Sequence, residues 1–192
     1  MKSHFYAILA RMKYIKRWGL MRNTREENLS EHSLEVAYIA HALALIKNKR
    51  LGSKINPEKA ALVAMFHDTS EILTGDLPTP IKYYNPDIKT AYKKIETIAE
   101  NELLSMLPSD FRDDFKEIYT PEPEIAKIVK AADKLSALIK CLEETNMGNR
   151  EFSEAEKSTR LSLASMNMPE VDIFIEEFLD SFSMTLDEQR QI

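Results

Sequence analysis

The sequence predicts an all-α fold, and we expect one compact single-domain helical bundle over residues 1–192. Apolar residues recur at the three- and four-residue spacing that places them on one face of a helix, and no segment shows the alternation typical of a strand. Only four glycines interrupt the chain, whereas leucine, isoleucine, alanine, glutamate and lysine, which favour helices, are abundant. A chain of 192 residues is long enough to bury a sizeable core in one domain.

The N-terminal part of the chain shows clear helix signals. Apolar residues at helical spacing predict an amphipathic helix over residues 5–16, and the polar stretch 19–28 predicts a loop. Ser30 is a good N-cap for a second helix over about residues 31–49. We expect this helix to turn four of its apolar side chains inward, namely Leu34, Ala37, Tyr38 and Leu45.

A third helix begins at a strong start signal, with Asn56 as cap, Pro57 in the first helical position and Glu58 in the first turn. Residues 60–66 are apolar on nearly every face, which predicts the central buried helix of the fold. A glycine and two prolines predict a loop over residues 75–80. Further helices are expected over residues 87–107, 109–118, 123–147, 151–166 and 169–182.

Charge and glycine content exclude several classes of function. The net charge is −5 at pH 7, so no strong positive field attracts nucleic acid, and we expect no nucleic acid polymer as a partner. The four glycines are far apart, which excludes the P-loop and the dinucleotide fingerprint, because both need several glycines in one turn. A phosphate ligand would have to be held by a metal, by side chains or by helix ends.

The sequence also predicts a compartment. The longest unbroken apolar run, residues 60–66, is too short to cross a bilayer, so we expect no membrane association. Cys141 has no second cysteine with which to pair, and the N-terminus lacks the apolar stretch of a signal peptide. We therefore expect a cytoplasmic protein.

Polar residues occur where the apolar pattern demands apolar ones. His67 and Asp68 directly follow the apolar stretch 60–66, so both should lie at a buried helix end. An unpaired buried carboxylate is unfavourable, so a metal ion, an arginine or a protonated histidine must neutralise Asp68. His32 and Asp133 are likewise surrounded by apolar residues at helical spacing.

Two histidines and two aspartates from three helices could meet on one divalent cation, because imidazole and carboxylate are ligands of intermediate hardness. Taken singly, a buried histidine is usually a hydrogen-bonded core residue, and a buried aspartate is usually a cap or an ion-pair partner. The order along the chain changes this balance. A histidine, then a His-Asp pair, then an aspartate resembles the pattern of the HD superfamily of metal-dependent phosphohydrolases.

Five segments carry a closer resemblance. They are the pair Arg17 and Trp18, residues 21–28 (MRNTREEN), 30–34 (SEHSL), 66–71 (FHDTSE) and 75–80 (GDLPTP). In this order they resemble the bacterial 5′-deoxynucleotidase family of the HD superfamily over most of the chain. The resemblance implies an all-α fold of the HD type, with a core over about residues 28–145 and C-terminal helices over about residues 150–183.

This resemblance also implies an activity, a cofactor and an assembly. We expect hydrolysis of deoxyribonucleoside 5′-monophosphates to deoxyribonucleosides and inorganic phosphate, by a water that one divalent metal ion such as Co²⁺ or Mn²⁺ activates. We expect a homodimer as well. Two alternatives stay open: an HD-type hydrolase acting on another nucleotide, such as a cyclic nucleotide or a nucleoside triphosphate, or a non-catalytic helical module that only binds metal.

The resemblance assigns roles residue by residue. The metal ligands that it implies are His32, His67, Asp68 and Asp133, and the catalytic residues are Glu71 and Asp76. The substrate-binding residues that it implies are Arg17, Trp18, His32, Asp68, Asp76, Leu77, Pro78, Thr79 and Asp133. Among these, Trp18 is expected to govern the preference for deoxyribose.

Elementary chemistry gives several of these roles both a rationale and an alternative. A guanidinium matches phosphate oxygens, and an indole against C2′ of the sugar excludes a ribose hydroxyl by shape. Glu71 lies three residues after Asp68, on the same side of a helix, where its carboxylate can accept a proton from water. From spacing alone, Glu71 could equally be a solvated residue of the last helical turn. The alternative for Asp76 is a turn aspartate, and Trp18 taken alone is more typical of a core or interface residue.

Overall fold

The computed structural model describes residues 2–82 and 84–190, and these residues form helices joined by turns and loops. Within them the only β pairing is an isolated antiparallel bridge between Lys16 and Asn28. The predicted all-α fold is therefore confirmed. None of the described helices is both long and apolar enough to cross a membrane.

The predicted helices occur within a few residues of their expected bounds. The α-helices are α1 (Phe5–Leu9), α2 (Leu29–Leu51), α3 (Pro57–Phe66), α4 (Glu71–Thr74), α5 (Thr79–Lys82), α6 (Pro86–Ser105), α7 (Arg112–Tyr119), α8 (Pro123–Asn146), α9 (Ser153–Ser165), α10 (Pro169–Phe178) and α11 (Leu186–Gln189). Short 3₁₀ helices extend α1, α7, α9 and α10, over Ala10–Tyr14, Ser109–Phe111, Arg150–Phe152 and Leu179–Ser183.

The main core lies between α2, α3 and α8, which pack directly against one another. Leu43 of α2, Ala60 of α3 and Leu135 of α8 are fully buried in it. Leu163 of α9 and Phe174 of α10 belong to the same apolar cluster. The C-terminal helices therefore share one core with the central helices, and apolar packing fixes the positions of all five.

A smaller apolar cluster joins the N-terminus to the end of α3. The ring of Phe5 on α1 packs edge-on against Phe115 on α7, with 4.9 Å between ring centroids. Phe66, the last residue of α3, contacts the ring of Phe115 at 5.3 Å. Leu103 and Leu107 complete the cluster from α6 and the turn after it. This packing holds the point at which α3 ends.

The structure confirms one predicted helix start and corrects another. α3 begins after Asn56, whose side chain accepts a hydrogen bond from the amide of Lys59 at 2.9 Å. α2 begins after Asn28, so the prediction of Ser30 as its N-cap is wrong. The backbone of Asn28 is extended, as is usual for an N-cap, and its side chain accepts hydrogen bonds from the amides of Ser30 and Glu31 at 3.0 and 3.1 Å. The backbone at Ser30 is already helical.

Two predicted segments differ from the structure in conformation. The helix expected over residues 5–16 is α-helical only over Phe5–Leu9 and then tightens into the 3₁₀ helix Ala10–Tyr14. The loop expected over residues 75–80 ends early, because the short helix α5 begins at Thr79. Proline is compatible with the first turn of a helix, where its missing N–H leaves no hydrogen bond unmade, so Pro80 does not prevent this turn.

The outer faces of α2 and α3 carry apolar side chains that the sequence analysis expected to be buried. Ala37 is buried as predicted, and α3 is buried on one side only. The exposed residues are Leu34 (45%), Tyr38 (65%) and Leu45 (38%) on α2, and Leu62 (41%) and Met65 (44%) on α3. The prediction of a central buried helix over residues 60–66 is therefore wrong for its outer face. The core uses the opposite faces, and these side chains stay at the surface of the described chain.

Candidate metal centre and active site

Four polar side chains meet at one end of the main core. His32 lies in the first turn of α2, and Asp133 lies in the middle of α8. His67 and Asp68 directly follow the last residue of α3. One ligand atom from each of the four residues lies within 4.8 Å of the others. The structure therefore brings together the four residues that the sequence analysis proposed as metal ligands.

The end of α3 explains how two neighbouring residues can face one point. On a continuing helix, successive side chains point about 100° apart. α3 ends at Phe66, and His67 and Asp68 belong to the turn that leads into α4. Both side chains reach the same place, because His67 Nε2 lies 3.2 Å from Asp68 Oδ2.

Each histidine is oriented through its other ring nitrogen. His67 Nδ1 donates a hydrogen bond to the carbonyl oxygen of Ala64 at 2.6 Å. His32 Nδ1 lies 3.1 Å from Ser136 Oγ, and Ser136 Oγ donates to Glu35 Oε2 at 2.5 Å. Because the hydroxyl proton of Ser136 is directed to Glu35, His32 Nδ1 is the donor to Ser136. In both histidines Nε2 is left to face the carboxylates.

The donor set and its burial fit a divalent cation. His32 is fully buried, and neither histidine Nε2 has a hydrogen-bond partner among residues 2–82 and 84–190. His32 Nε2 lies 3.2 Å from Asp133 Oδ1 and 3.5 Å from Asp68 Oδ2, but without hydrogen-bond geometry. Two imidazole nitrogens and two carboxylates around one point form a ligand set that first-row divalent metals accept.

The charges of these four residues depend on one another. Burial lowers the pKa of His67, but the Asp68 carboxylate beside it outweighs burial and raises that pKa to about 9. Burial likewise opposes the negative charges of Asp68 and Asp133, yet the two histidines hold the pKa of both carboxyls below the ordinary value. In the metal-free protein, a protonated His67 therefore supplies positive charge that a bound cation would otherwise supply.

Glu71 lies beside this centre at the start of α4. Its side chain is 7% exposed, and Oε1 lies 4.0 Å from Lys82 Nζ. Oε2 is buried without a hydrogen-bond partner in the described part of the chain. Burial and the negative charges of Asp68 and Asp76 raise the pKa of Glu71 to about 9. These observations contradict the alternative in which Glu71 is a solvated residue of a helix end.

Asp76 lies in the loop after α4 and connects this loop to the N-terminal segment. Burial raises its pKa, while the Arg17 guanidinium and the backbone amide of Trp18 act against this rise. These contacts with another segment distinguish Asp76 from a turn aspartate that bonds only its own backbone. Leu77 and Pro78, which follow Asp76, are partly exposed. The side chain of Thr79 lies outside the described residues.

Arg17 and Trp18 approach the centre from the loop before α2. Burial works against the charge of Arg17, but Glu27 and the carboxylates of the centre hold its pKa above the ordinary value. Trp18 has a left-handed backbone with φ of +60°, which is uncommon outside glycine. Its ring lies 5.3 Å from that of Phe152, between centroids, and the residue is partly exposed. Trp18 is therefore available to a ligand on part of its surface.

Sequence reasoning missed three residues that organise this site: Glu27, Glu35 and Ser136. Glu35 and Ser136 hold a histidine of the centre, and Glu27 binds both of the loop residues described above. Ser136 follows Asp133 by three positions on one helix, a spacing from which it could have been found. Nothing in the sequence distinguishes Glu27 from its neighbour Glu26.

Comparisons with known proteins agree with this fold and this site. The family model described as 5′-deoxynucleotidase YfbR-like matches residues 4–182. A protein of Vibrio atlanticus (strain LGP32) named 5′-deoxynucleotidase is 56% identical over 190 residues, which cover 97% of this chain and 98% of the relative. A protein of Yersinia pestis (strain Pestoides F) with the same name is 53% identical over 190 residues, covering 97% of this chain and 96% of the relative.

Solved structures with low sequence identity share the fold. An HD-domain phosphohydrolase from Listeria innocua superposes with a TM-score of 0.81 at 22% identity, over 93% of this chain and 88% of that one. The cyanophage S-2L HD phosphohydrolase DatZ, solved with dA and one catalytic Zn²⁺ ion, superposes with a TM-score of 0.61 at 21% identity, over 91% and 96%. Together with the family model and the relatives more than half identical, these likenesses confirm the predicted resemblance. The chain therefore belongs to the YfbR-like 5′-deoxynucleotidase family, and it is a phosphoric monoester hydrolase with the HD fold.

Proposed function

We propose that the chain hydrolyses deoxyribonucleoside 5′-monophosphates to deoxyribonucleosides and inorganic phosphate at the centre formed by His32, His67, Asp68 and Asp133. One observation carries this proposal, namely that the cluster of metal-ligand side chains and the guanidinium of Arg17 lie close together. The four ligand side chains lie within 4.8 Å of one another, and the Arg17 guanidinium interacts electrostatically with their carboxylates. A cation together with a guanidinium is a suitable environment for a phosphate dianion.

The four side chains would hold one divalent first-row metal ion, with Co²⁺ and Mn²⁺ as the first candidates. When bound, such an ion polarises the phosphoryl group and makes water a better nucleophile at neutral pH. Mixed nitrogen and oxygen donors suit several ions of this class, so a panel of metals belongs in the experiment below.

Two carboxyl groups beside the ligands are proposed as the catalytic residues. Glu71 is buried next to the centre, and its pKa of about 9, raised by burial and by Asp68 and Asp76, makes its carboxylate a strong base. A cation at the four ligands favours the ionised form, which can take the proton that the attacking water loses. Asp76, whose pKa burial also raises, is assigned to the side of the leaving 5′-oxygen. No covalent intermediate is needed.

The substrate is proposed to lie between the loop before α2, which carries Arg17 and Trp18, and the loop after α4, which carries Asp76. Arg17 binds the phosphate, and Trp18 forms a wall against C2′ of the sugar. The indole Nε1–H is already donated to Glu27 at 2.6 Å, so it is not available to a ribose 2′-hydroxyl. A ribonucleotide would meet an apolar surface with no hydrogen-bond partner for its extra group, which disfavours it. The loop residues Leu77, Pro78 and Thr79 are proposed to complete the substrate site.

A phosphate-release assay tests this function. Purified protein is freed of metal with a chelator and supplied in turn with Co²⁺, Mn²⁺, Zn²⁺ or Mg²⁺, against deoxyribo- and ribonucleoside 5′-monophosphates, a cyclic nucleotide and a nucleoside triphosphate. We expect phosphate only with added metal and at least about tenfold faster from the deoxy substrates. Protein that releases no phosphate from any deoxynucleoside monophosphate contradicts the proposal, and preferred turnover of another nucleotide favours the alternative substrate class.

Assembly and compartment are further parts of the proposal. Leu34, Tyr38 and Leu45 form one exposed stripe on α2, and Leu62 and Met65 are exposed on α3, which packs against α2. Apolar surface of this kind favours contact with another protein surface, and we propose a homodimer. Light scattering should give the mass of a dimer for the wild type and of a monomer for Tyr38→Asp. A monomeric wild type contradicts the proposal.

A reducing compartment suits the single cysteine. Cys141 is buried and free, and burial together with Glu156 raises the pKa of its thiol to about 12. Such a thiol is inert and needs no oxidising environment, which supports the cytoplasm as the proposed location. Within the chain, residues 28–145 are proposed as the catalytic core and residues 150–183 as its support. The net charge of −5 disfavours a nucleic acid polymer as the partner, and it is compatible with a mononucleotide held by a cation and Arg17.

A further inference from the structure

We infer that Glu27 is a positioning residue for the deoxyribose preference of this enzyme. It holds Trp18 and Arg17 in the orientation in which they meet the substrate, and it contacts no reacting atom itself. The inference rests on the proposed function and deepens it. The sequence analysis gave Glu27 no role.

Glu27 divides its two carboxylate oxygens between the two loop residues. Oε2 accepts a hydrogen bond from Trp18 Nε1 at 2.6 Å. Oε1 accepts from Arg17 Nη1 at 3.3 Å. The backbone carbonyl of Glu27 also accepts from the backbone amide of Arg17 at 3.0 Å. Three contacts therefore connect Arg17 and Trp18, at the start of the loop before α2, to Glu27 at its end.

Burial makes these contacts stronger than surface ones. The side chains of Arg17 and Glu27 are each 12% exposed. Hydrogen bonds and ion pairs of charged groups are stronger where little solvent screens them. The adjacent Glu26 offers a direct contrast, because it is 72% exposed and, among residues 2–82 and 84–190, its ion-pair partner is the exposed Lys16. The same residue type in the next position therefore has a different role.

The indole of Trp18 contacts Glu27 and Phe152, and the guanidinium carbon of Arg17 lies 5.8 Å from its ring centroid. Glu27 binds its N–H edge, and the ring of Phe152 lies 5.3 Å from it, tilted by 55°. The backbone at Trp18 has the left-handed conformation, which a tryptophan rarely adopts without support from its surroundings. An indole fixed in this way presents a rigid wall. An indole without the contact to Glu27 could rotate about its side-chain torsions.

Glu27 also relates the wall to the metal centre. Its Oε1 lies 3.7 Å from His32 Nδ1. His32 faces the centre through Nε2, so the same carboxylate is next to a proposed metal ligand, to the proposed phosphate cation and to the proposed sugar wall. The distance between phosphorus and C2′ is fixed within one substrate, and discrimination by shape requires the wall to keep a fixed distance from the phosphate site. Glu27 provides that fixed distance.

The single tryptophan of the chain makes the first test direct, because its fluorescence reports on Trp18 alone. We compare Glu27→Ala with the control Glu26→Ala in the absence of substrate, and follow emission and quenching by acrylamide. Glu27→Ala is expected to raise the quenching constant about twofold, because the ring loses its partner and becomes mobile. Glu26→Ala is expected to match the wild type. Circular dichroism and Mn²⁺ titration show that each variant is folded and binds metal.

The second test compares kcat/KM for one deoxynucleoside monophosphate and its ribonucleotide. Glu27→Ala is expected to reduce the ratio of the two about tenfold, mainly through faster turnover of the ribonucleotide. Glu27→Gln keeps an acceptor for the indole but loses the charge for Arg17. It should therefore keep most of the sugar preference while KM rises for both substrates. In a Trp18→Ala background, Glu27→Ala should leave the ratio unchanged, because the residue acts through the indole.

Each outcome distinguishes this inference from the proposed function. A wild type that releases phosphate equally from both sugars contradicts the proposed sugar preference itself. A selective wild type with a folded Glu27→Ala variant that is equally selective overturns the inference alone. An equal loss of selectivity in the wild-type and Trp18→Ala backgrounds also overturns it. If Glu27→Ala fails to fold, Glu27→Gln decides, and a Gln variant with wild-type KM overturns the assignment.

Discussion

The metal centre and the substrate side of this site are built in different ways. The four proposed ligands come from α2, from the turn after α3 and from α8, the three helices that pack together in the main core. Arg17 and Trp18 come from a loop before α2, and Asp76 comes from the loop after α4. Apolar packing of helices positions the first region, whereas hydrogen bonds and ion pairs position the second.

A second carboxylate holds the N-terminal loop against α8. Glu144 accepts from the amide and the hydroxyl of Thr24 at 2.9 and 2.8 Å, from Asn149 at 2.8 Å and from Lys140 Nζ at 2.5 Å. Burial disfavours its charge, but these donors outweigh burial and lower the pKa of Glu144 to about 2. Lys140 also donates to the carbonyl of Arg25 at 2.6 Å. A loop without a core of its own can thus be placed accurately by a few buried polar contacts.

The largest expected effect concerns the helical region alone. Asp68→Asn removes one of two anionic ligands, so metal binding should weaken and phosphate release should fall by more than about 1000-fold. The fluorescence of Trp18 should stay unchanged, because its partners are Glu27 and Phe152. Initial rates, Mn²⁺ titration and acrylamide quenching measure the three quantities. Asp172→Asn, at an exposed position of α10, is the control. Activity above a tenth of wild type would contradict Asp68 as a ligand.

The next largest effect concerns the loop region and appears as stability. Glu144→Ala leaves the buried ammonium of Lys140 without its counter-charge, which should cost about 3 kcal/mol or more of the free energy of unfolding. The double variant Glu144→Ala with Lys140→Met should be less destabilised, since no unpaired charge stays buried. Urea unfolding of the metal-loaded protein measures both. A loss below about 1 kcal/mol for the single variant shows that the loop is held otherwise.

The same division explains what the sequence could predict. His32, His67, Asp68 and Asp133 interrupt apolar helical patterns, and the period of a helix places such interruptions on one side. Because helix packing does the positioning, the pattern indicated that the four could meet, and the family resemblance then identified them as metal ligands. The exposed stripe that includes Tyr38 shows the limit, since a helix period identifies an apolar face but not which of two apolar faces the core uses.

The loop contacts follow no period, and sequence spacing could not predict them. Glu144 binds Thr24 across a separation of 120 residues, and nothing local marks either as a partner. Arg17 and Trp18 entered the predicted site only through family resemblance, which identifies residues but not what holds them. Glu27 was inside a quoted motif and still went unnoticed, because its partners become visible only when the loop closes on itself.

The stability of the metal-free protein should depend on pH through the metal centre, and not through the contacts that hold the loop region. In the folded metal-free protein the pKa of His67 is raised to about 9 by Asp68, against the opposing effect of burial. Its proton-linked stability is fully present below about pH 6.5, the ordinary histidine value, and is lost as pH rises through 9. Burial and neighbouring carboxylates also raise the pKa of Glu71 to about 9, so its proton-linked stability is likewise lost as pH rises. We expect a loss on the order of 1–3 kcal/mol between pH 6.5 and 9.

Thermal unfolding with a chelator and with Mn²⁺ measures this dependence. A cation has to displace the proton of His67, so the metal-loaded protein should gain stability over the same pH range in which the metal-free protein loses it. His67→Gln should flatten the metal-free profile. Glu144 makes no contribution there. Burial raises its pKa, but its hydrogen-bond donors outweigh burial and lower that pKa to about 2, far below this range. Equal slopes with and without His67 would contradict the assignment.

The smallest expected effect lies at Asn28, where the loop ends and α2 begins. Its side chain accepts hydrogen bonds from the amides of Ser30 and Glu31, and the Glu31 carboxylate accepts one from the Asn28 amide at 3.4 Å. Asn28→Ala should therefore cost about 1 kcal/mol of stability, the usual loss of a cap. Ser30→Ala is the matched control and should change stability by less than about 0.5 kcal/mol, because within the described chain the Ser30 hydroxyl makes no hydrogen bond. Urea unfolding of both variants decides, and a larger loss for Ser30→Ala would return the cap to the residue that the sequence first indicated. Because His32 lies only four residues after Asn28, a frayed start of α2 should also weaken Mn²⁺ binding, which makes this cap the point where the two regions depend on each other.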